Sequence, residues 1–175
     1  MRRLIRILFI LFAVVLAFLL EGCVFARLPF LTVSPNLLVV ITASIGFMRG
    51  EGEGIFTGTF AGLLMDVFFG QVLGLYTLLM MLIGYLNGKL NAVYYPSDLR
   101  LPLVAVLGST FSLGVVQYGI LFLLRGRFHF FYYLGHVILP ETIFTLISMF
   151  FLYPLLLLID HRLSEAEEKE VRRFV

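Results

Sequence analysis

ILFILFAVVLAFLL, residues 7–20, passes fourteen positions without a charged or polar side chain. A helix that packs on a water-soluble core keeps one polar face. This run has none, so lipid is its natural solvent. With its flanks, about residues 4–26, it reaches the roughly 20 residues needed to cross a hydrocarbon core of about 30 Å. The preceding MRRLIR is basic, as at the start of a secretory signal. No small-residue cleavage site follows, so the run reads as a retained anchor. Cys23, in LLEGC, imitates a lipoprotein cleavage site except for the acidic Glu21. A buried or lipid-facing thiol is the plainer reading.

Five further apolar segments follow, at about 35–48, 54–69, 74–94, 101–124 and 134–160. A charged tail occupies 161–175. The 175 residues are 61% hydrophobic and 14% charged, with mean hydropathy +1.02. Soluble domains average about 45–50% apolar and about 25% charged. The expected fold is therefore all-α, a six-helix transmembrane bundle that leaves no room for a soluble catalytic domain. Ser34 and Pro35 read as the cap and first residue of the second helix. RGEGEG, GQVLG and PSDLRLP read as connections, and Pro140 and Pro154 lie inside the sixth helix. The second and third helices are short enough to be read instead as one re-entrant pair.

Orientation follows from the basic residues, which concentrate on the cytoplasmic side. With a cytoplasmic N-terminus, Arg2, Arg3, Arg6, Arg49, Lys89, Arg100, Arg162, Lys169, Arg172 and Arg173 all fall inside. Only Arg27, Arg125 and Arg127 fall outside. The reverse orientation inverts this ratio, so both termini are expected in the cytoplasm. Lys89, beside Asn87 and Asn91, reaches the inner interface by snorkelling.

Gly46, Gly50, Gly54, Gly58, Gly62, Gly70 and Gly74 lie on a four-residue grid whose one gap is filled by Asp66. Gly84 and Gly88 repeat the spacing on the next helix. Lipid offers no hydrophobic drive between helices, so close backbone approach over small residues supplies the attraction. Gly54, Gly58, Gly62, Gly84 and Gly88 thus read either as packing within the bundle or as a groove for a partner's helix. Ala13 and Ala17 make a weaker pair of the same kind. An acid within a spanning segment is costly. For Asp66, near the outer end of its helix, a contact to another helix or an interfacial cap is favoured over a proton relay.

Glu21 and Glu141 both fall in the outer half. His136 is about one turn before Glu141, and the outer arginines are near. These residues suggest an outer polar cluster, against the alternative that each snorkels to the headgroups. A single cysteine forbids an intrachain disulfide. His129, His136 and His161 lack metal-ligand spacing. There is no phosphate-binding loop, no H-E-x-x-H and no G-x-S-x-G. No catalytic residue, metal or cofactor is expected, and no basic stripe suggests nucleic acid.

The stretch from Ser34 to Leu90 resembles the rod shape-determining protein MreD family. The resemblance is carried by Pro35, Asn36, Leu37 and Leu38, then Arg49 and Gly50, then Gly58, Gly62, Leu64 and Asp66. It continues through Leu73, Gly74, Leu75 and Tyr76, and through Gly84, Tyr85, Leu86, Gly88 and Lys89. It implies a non-catalytic, multi-pass subunit of the bacterial inner membrane, acting in the cell-elongation machinery that builds peptidoglycan. It implies an MreC-like bitopic partner, with RodA, a penicillin-binding protein and MreB in the same complex. It also implies a fold like the substrate-binding subunits of energy-coupling-factor transporters. That likeness supplies the alternative function, a small-molecule-binding subunit of a vitamin transporter.

Overall fold

The computed structural model describes residues 2–24, 33–70, 72–93, 100–120 and 130–171. The described residues form six helices and no strand. Helix α1 is Arg2–Leu19, prolonged by a π-helical turn over Leu20–Val24. Helix α2 is Leu37–Arg49, α3 is Glu51–Phe68, and α4 is Leu75–Lys89 with a 3-10 turn over Leu90–Val93. Helix α5 is Arg100–Tyr118. Helix α6 opens as Phe130–Tyr133, widens into a π turn over Leu134–Ile138, and continues as Leu139–Val171.

Among the described residues, three stretches are long and apolar enough to cross a membrane unaided: Arg6–Cys23, Arg100–Tyr118 and Phe131–Ile159. They face outward, and less than half of each is buried inside the protein. Exposed Leu8, Phe12, Val104, Phe131, Phe150 and Phe151 form the greasy exterior that a lipid solvent requires.

Helix α2 has the opposite character. Every residue from Leu37 to Phe47 is buried. It touches α1, α3, α4, α5 and α6, and is the axis of the bundle. Its sequence explains this place, since LLVVITASIGF is apolar or small on every side, the pattern of a helix with no solvent face. Its thirteen residues span about 20 Å at 1.5 Å per residue, short of a crossing. A helix sheathed by protein has no need to match the bilayer.

Several boundaries depart from the sequence reading for identifiable reasons. Helix α2 begins at Leu37, and its cap is Asn36, not Ser34. The Asn36 side chain accepts the Val39 N–H at 3.0 Å, while Pro35 lies before the helix. Helix α3 starts at Glu51, so RGEGEG shrinks to the single link Gly50. Glu51 and Glu53 sit in the first turn, where acids oppose the positive end of the helix dipole. Gly50 has φ +92°, a conformation that joins two helices with one residue and suits glycine alone. The sixth helix opens at Phe130 and continues to Val171, through part of the expected tail. Its π turn precedes Pro140. Leu139 N–H reaches back five residues to the Leu134 carbonyl, and Pro140 has no N–H to offer its own turn.

Candidate functional site

The glycines of α3 meet the backbone of α4 in the same chain. A Cβ on Gly54 would strike the Gly84 carbonyl, and one on Gly84 the Gly54 carbonyl. On Gly58 it would strike the Met80 carbonyl, and on Gly88 it would lie 2.5 Å from Glu51 Cα. Gly46 brings α2 to the same point, its Cβ position 2.8 Å from the Gly84 carbonyl. Three backbones therefore converge around Gly46, Gly54 and Gly84, and α3 with α4 forms the most extensive helix pair. This corrects the reading of Gly54, Gly58, Gly62, Gly84 and Gly88 as a groove for a partner's helix. The strip is already filled from within. The strip of Ala13 and Ala17 also faces inward, with Ala17 buried and Ala13 packed on the core.

One end of this seam is closed by Asp66. Its Oδ1 accepts the Tyr76 N–H at 3.0 Å. Its Oδ2 accepts the Thr77 N–H at 2.9 Å and the Thr77 hydroxyl at 2.5 Å. Tyr76 and Thr77 are the second and third residues of α4, whose amides have no partner in their own helix. The carboxylate of α3 thus caps α4. Gly74 (φ +91°) turns the chain into α4 and offers no side-chain cap of its own.

A second buried helix start lies beside the first. At the beginning of α2, the Glu21 carboxylate from the π turn of α1 lies close to the Leu37 and Leu38 amides, with its Oε2 buried and without a partner among the described residues. Asn36 caps Val39. The Asn36 N–H donates to Thr145 Oγ1 at 2.9 Å, and its Nδ2 donates to Glu141 Oε1 at 3.4 Å. Glu141 and Thr145 are one turn apart on α6, where Thr145 also donates to the Glu141 carbonyl at 2.7 Å. The positive helix end holds two carboxylates, Glu21 and Glu141, within each other's field. Tyr76 lies within the field of both, and of Asp66.

Of the expected cluster, Glu21 and Glu141 lie within each other's field at the start of α2, where Asn36 donates to Glu141. His136 stands apart from it. Its ring is exposed, stacks on Tyr132 at 4.2 Å between centroids, and lies 3.1 Å from the Tyr132 carbonyl through Nδ1. No hydrogen bond or ring contact joins His136 to Glu141 among the described residues. Arg27, Arg125 and Arg127 lie outside the described residues. A cleft of about 220 Å³ opens beside Glu21, lined by Phe18, Gly22, Ser34, Met65 and Phe69.

At the other end, Arg6 of α1 pairs with Glu53 of α3 at 2.6 Å. Asn91 donates to the Phe47 carbonyl at 2.7 Å and so closes the end of α2. Arg49 ends that helix, where a cation suits the dipole. Lys89 is exposed and lies over the Tyr85 ring at 4.6 Å. Sequence reading missed Thr77, Thr145 and the Arg6–Glu53 pair. Only the two acids at the start of α3 gave a signal, as a helix N-terminus. The arrangement as a whole fixes helices to one another: Asp66 of α3 caps α4, Glu141 of α6 meets Asn36 at the start of α2, and Glu53 of α3 meets Arg6 of α1.

A family model described as rod shape-determining protein MreD matches residues 1–161, which take in α1 to α5 and the apolar length of α6. No curated protein and no solved structure matches the chain.

Proposed function

The chain belongs to the rod shape-determining protein MreD family, and we propose that it acts there as a non-catalytic scaffold of the cell-elongation complex. Membership makes it a helical membrane protein with a part in determining rod shape. The finer reading has it lie in the inner membrane with both termini in the cytoplasm, all six helices in the bilayer and the charged tail beyond. It binds an MreC-like bitopic protein and, through it, works with MreB, RodA and a penicillin-binding protein in peptidoglycan synthesis. The observation that carries this reading is the family match over residues 1–161. The geometry agrees with it: Asp66 and Asn36 are spent on capping helices, a use that favours a rigid framework over a reactive centre. A likeness to energy-coupling-factor subunits belongs to the same proposal, and an experimental structure tests it. The vitamin-transporter alternative gains no support from the comparisons.

Depletion of the chain in its own rod-shaped host is the test. Cells should widen and round within a few generations, and a plasmid-borne copy should restore them. Depleted cells that keep both rod shape and the usual pattern of wall insertion would sink the proposal.

A further inference from the structure

The connection from α3 to α4 differs from its neighbours in the sequence. RGEGEG and PSDLRLP carry charges, whereas GQVLG, residues 70–74, carries none. Between Gly54 and Gly88 the one charged residue is Asp66, and its carboxylate is occupied by Tyr76 and Thr77. Val67, Phe68, Phe69, Val72 and Leu73 stand exposed around the turn, Leu73 at 80%. Gln71 lies outside the described residues. Large apolar side chains gathered at a hairpin tip are costly to keep in water.

The helices measure how far this tip stands from the charged layer of Arg6, Glu51, Glu53 and Lys89. At 1.5 Å per residue, α3 rises about 24 Å from Glu53 to Phe69, and α4 about 21 Å from Lys89 to Leu75. Helix α1 agrees. It rises about 18 Å from Arg6 to Phe18. Arg6 is paired with Glu53, and the Phe18 ring meets Phe68 and Phe69 at 5.2 and 5.6 Å between centroids. Tilt shortens these rises further. A hydrocarbon core is about 30 Å thick, so the tip stops at least about 6 Å below the far headgroups. Helix α6 rises past it. Leu156 stands by Arg6 and Glu53, and Glu141 meets Asn36 at the start of α2. Exposed large side chains then run on through Leu139 and Tyr132 to Phe131, more than about 10 Å beyond Glu141. A turn within hydrocarbon must satisfy its backbone without water. Here the amides of Phe69, Gly70, Leu75 and Leu78 donate to carbonyls of the hairpin, and Asp66 takes those of Tyr76 and Thr77.

We propose that the α3–α4 hairpin turns back inside the hydrocarbon, short of the far headgroups, where Phe68, Phe69, Val72 and Leu73 pack against phospholipid acyl chains. Membrane helices attract another protein over small or polar side chains, and these four are neither. Acyl chains need no more than apolar surface. The placement goes beyond the scaffold reading and holds whichever end of the bundle is cytoplasmic. It also gives Asp66 its reason: with no water at the turn, the free amides of α4 need a cap from within the protein. The short helices that turn back together are then the third and fourth, not the second and third.

A detergent micelle admits water at this depth, so the test is made in a bilayer. The full chain, in a Cys23→Ser background, is placed in nanodiscs of phosphatidylethanolamine and phosphatidylglycerol, whose two faces are both open to water. Val72→Cys, Leu73→Cys and Lys89→Cys, all at exposed positions, each carry one nitroxide. Collisions with oxygen, which gathers in hydrocarbon, and with a nickel chelate, which stays in water, report the depth of each label. At Val72 and Leu73 oxygen collisions should exceed nickel collisions several-fold, and at Lys89 the order should reverse. Nickel collisions at the tip as frequent as those at Lys89 overturn the placement, because the hairpin then emerges into water. Tip labels shielded from both probes overturn the contact with acyl chains, because a second copy or another protein then covers the tip. The unlabelled wild type gives an independent reading by hydrogen exchange in the same nanodiscs. The amides of residues 72–74 should exchange as slowly as those in the middle of α1, and exchange at the rate of an open chain in water overturns the placement with no substitution involved.

Discussion

Replacing Asp66 by alanine should cost more stability than any other single polar substitution in the bundle. The carboxylate accepts three hydrogen bonds, at 3.0, 2.9 and 2.5 Å, and two of the donors are first-turn amides of α4. Hydrogen bonds to a charged group contribute about 1.5–3 kcal/mol each, and a buried amide left unpaired costs about 1–3 kcal/mol. Two moderating effects act on that sum. Tyr76 and Thr77 are half-buried, so water reaches their amides once the carboxylate is gone. Side-chain hydrogen bonds between membrane helices average only about 0.6 kcal/mol, because the disassembled helices find other partners. Together these bring the expectation for Asp66→Ala to about 2–4 kcal/mol. Asp66→Asn keeps the shape and one acceptor oxygen, so it should lose about half as much. The assay is unfolding in mixed micelles of mild detergent and dodecyl sulfate, followed by far-ultraviolet circular dichroism on both variants. An Asp66→Ala protein within about 0.5 kcal/mol of wild type, below the typical size of a lost cap, would refute the reasoning.

Gly62→Ala places a Cβ 2.6 Å from the Tyr76 carbonyl and 2.7 Å from the Thr77 amide. Overpacking of this kind costs about 1–3 kcal/mol, whereas Gly108→Ala, with open space above it, should be neutral or stabilising by up to about 1 kcal/mol. Melting curves of the two variants side by side check the contrast. Asn36→Ala removes the cap on Val39 and should cost about 1 kcal/mol. Asn36→Asp keeps an acceptor for Val39 but sets a third carboxylate beside Glu21 and Glu141, so it should be the worse of the two, and an Asp variant more stable than the Ala variant would count against the site as described. Glu53→Gln breaks the pair with Arg6, whose side chains remain 18% and 26% exposed. The loss should stay below about 1 kcal/mol and shrink as salt is added, which a melting series in sodium chloride measures.

The apolar runs and their order were legible in the sequence, because lipid demands long stretches with no polar face. The glycine spacing was legible too, but not its direction. Gly54, Gly58 and Gly62 present the same face to a helix of their own chain as to a foreign one, and only the fold of α4 back onto them decides between the two. Glu21 and Glu141 were legible as a pair by counting crossings, yet Asn36, the residue that joins them to α2, stands 105 positions before Glu141. Its signal was its place just before an apolar run, where a cap belongs, and Pro35 drew the reading two residues early. His136 was grouped with Glu141 by nearness along the chain, which is no guide to a shared face five residues apart.

On the proposed reading, this bundle is a framework that holds another protein's membrane helix. Native mass spectrometry of the chain co-expressed with the MreC-like protein of its genome measures this most directly. The expected spectrum shows a stable complex with one or more intact copies of the partner and no small molecule retained. A spectrum showing the chain alone, or the chain carrying a stoichiometric small ligand and no partner, would contradict it.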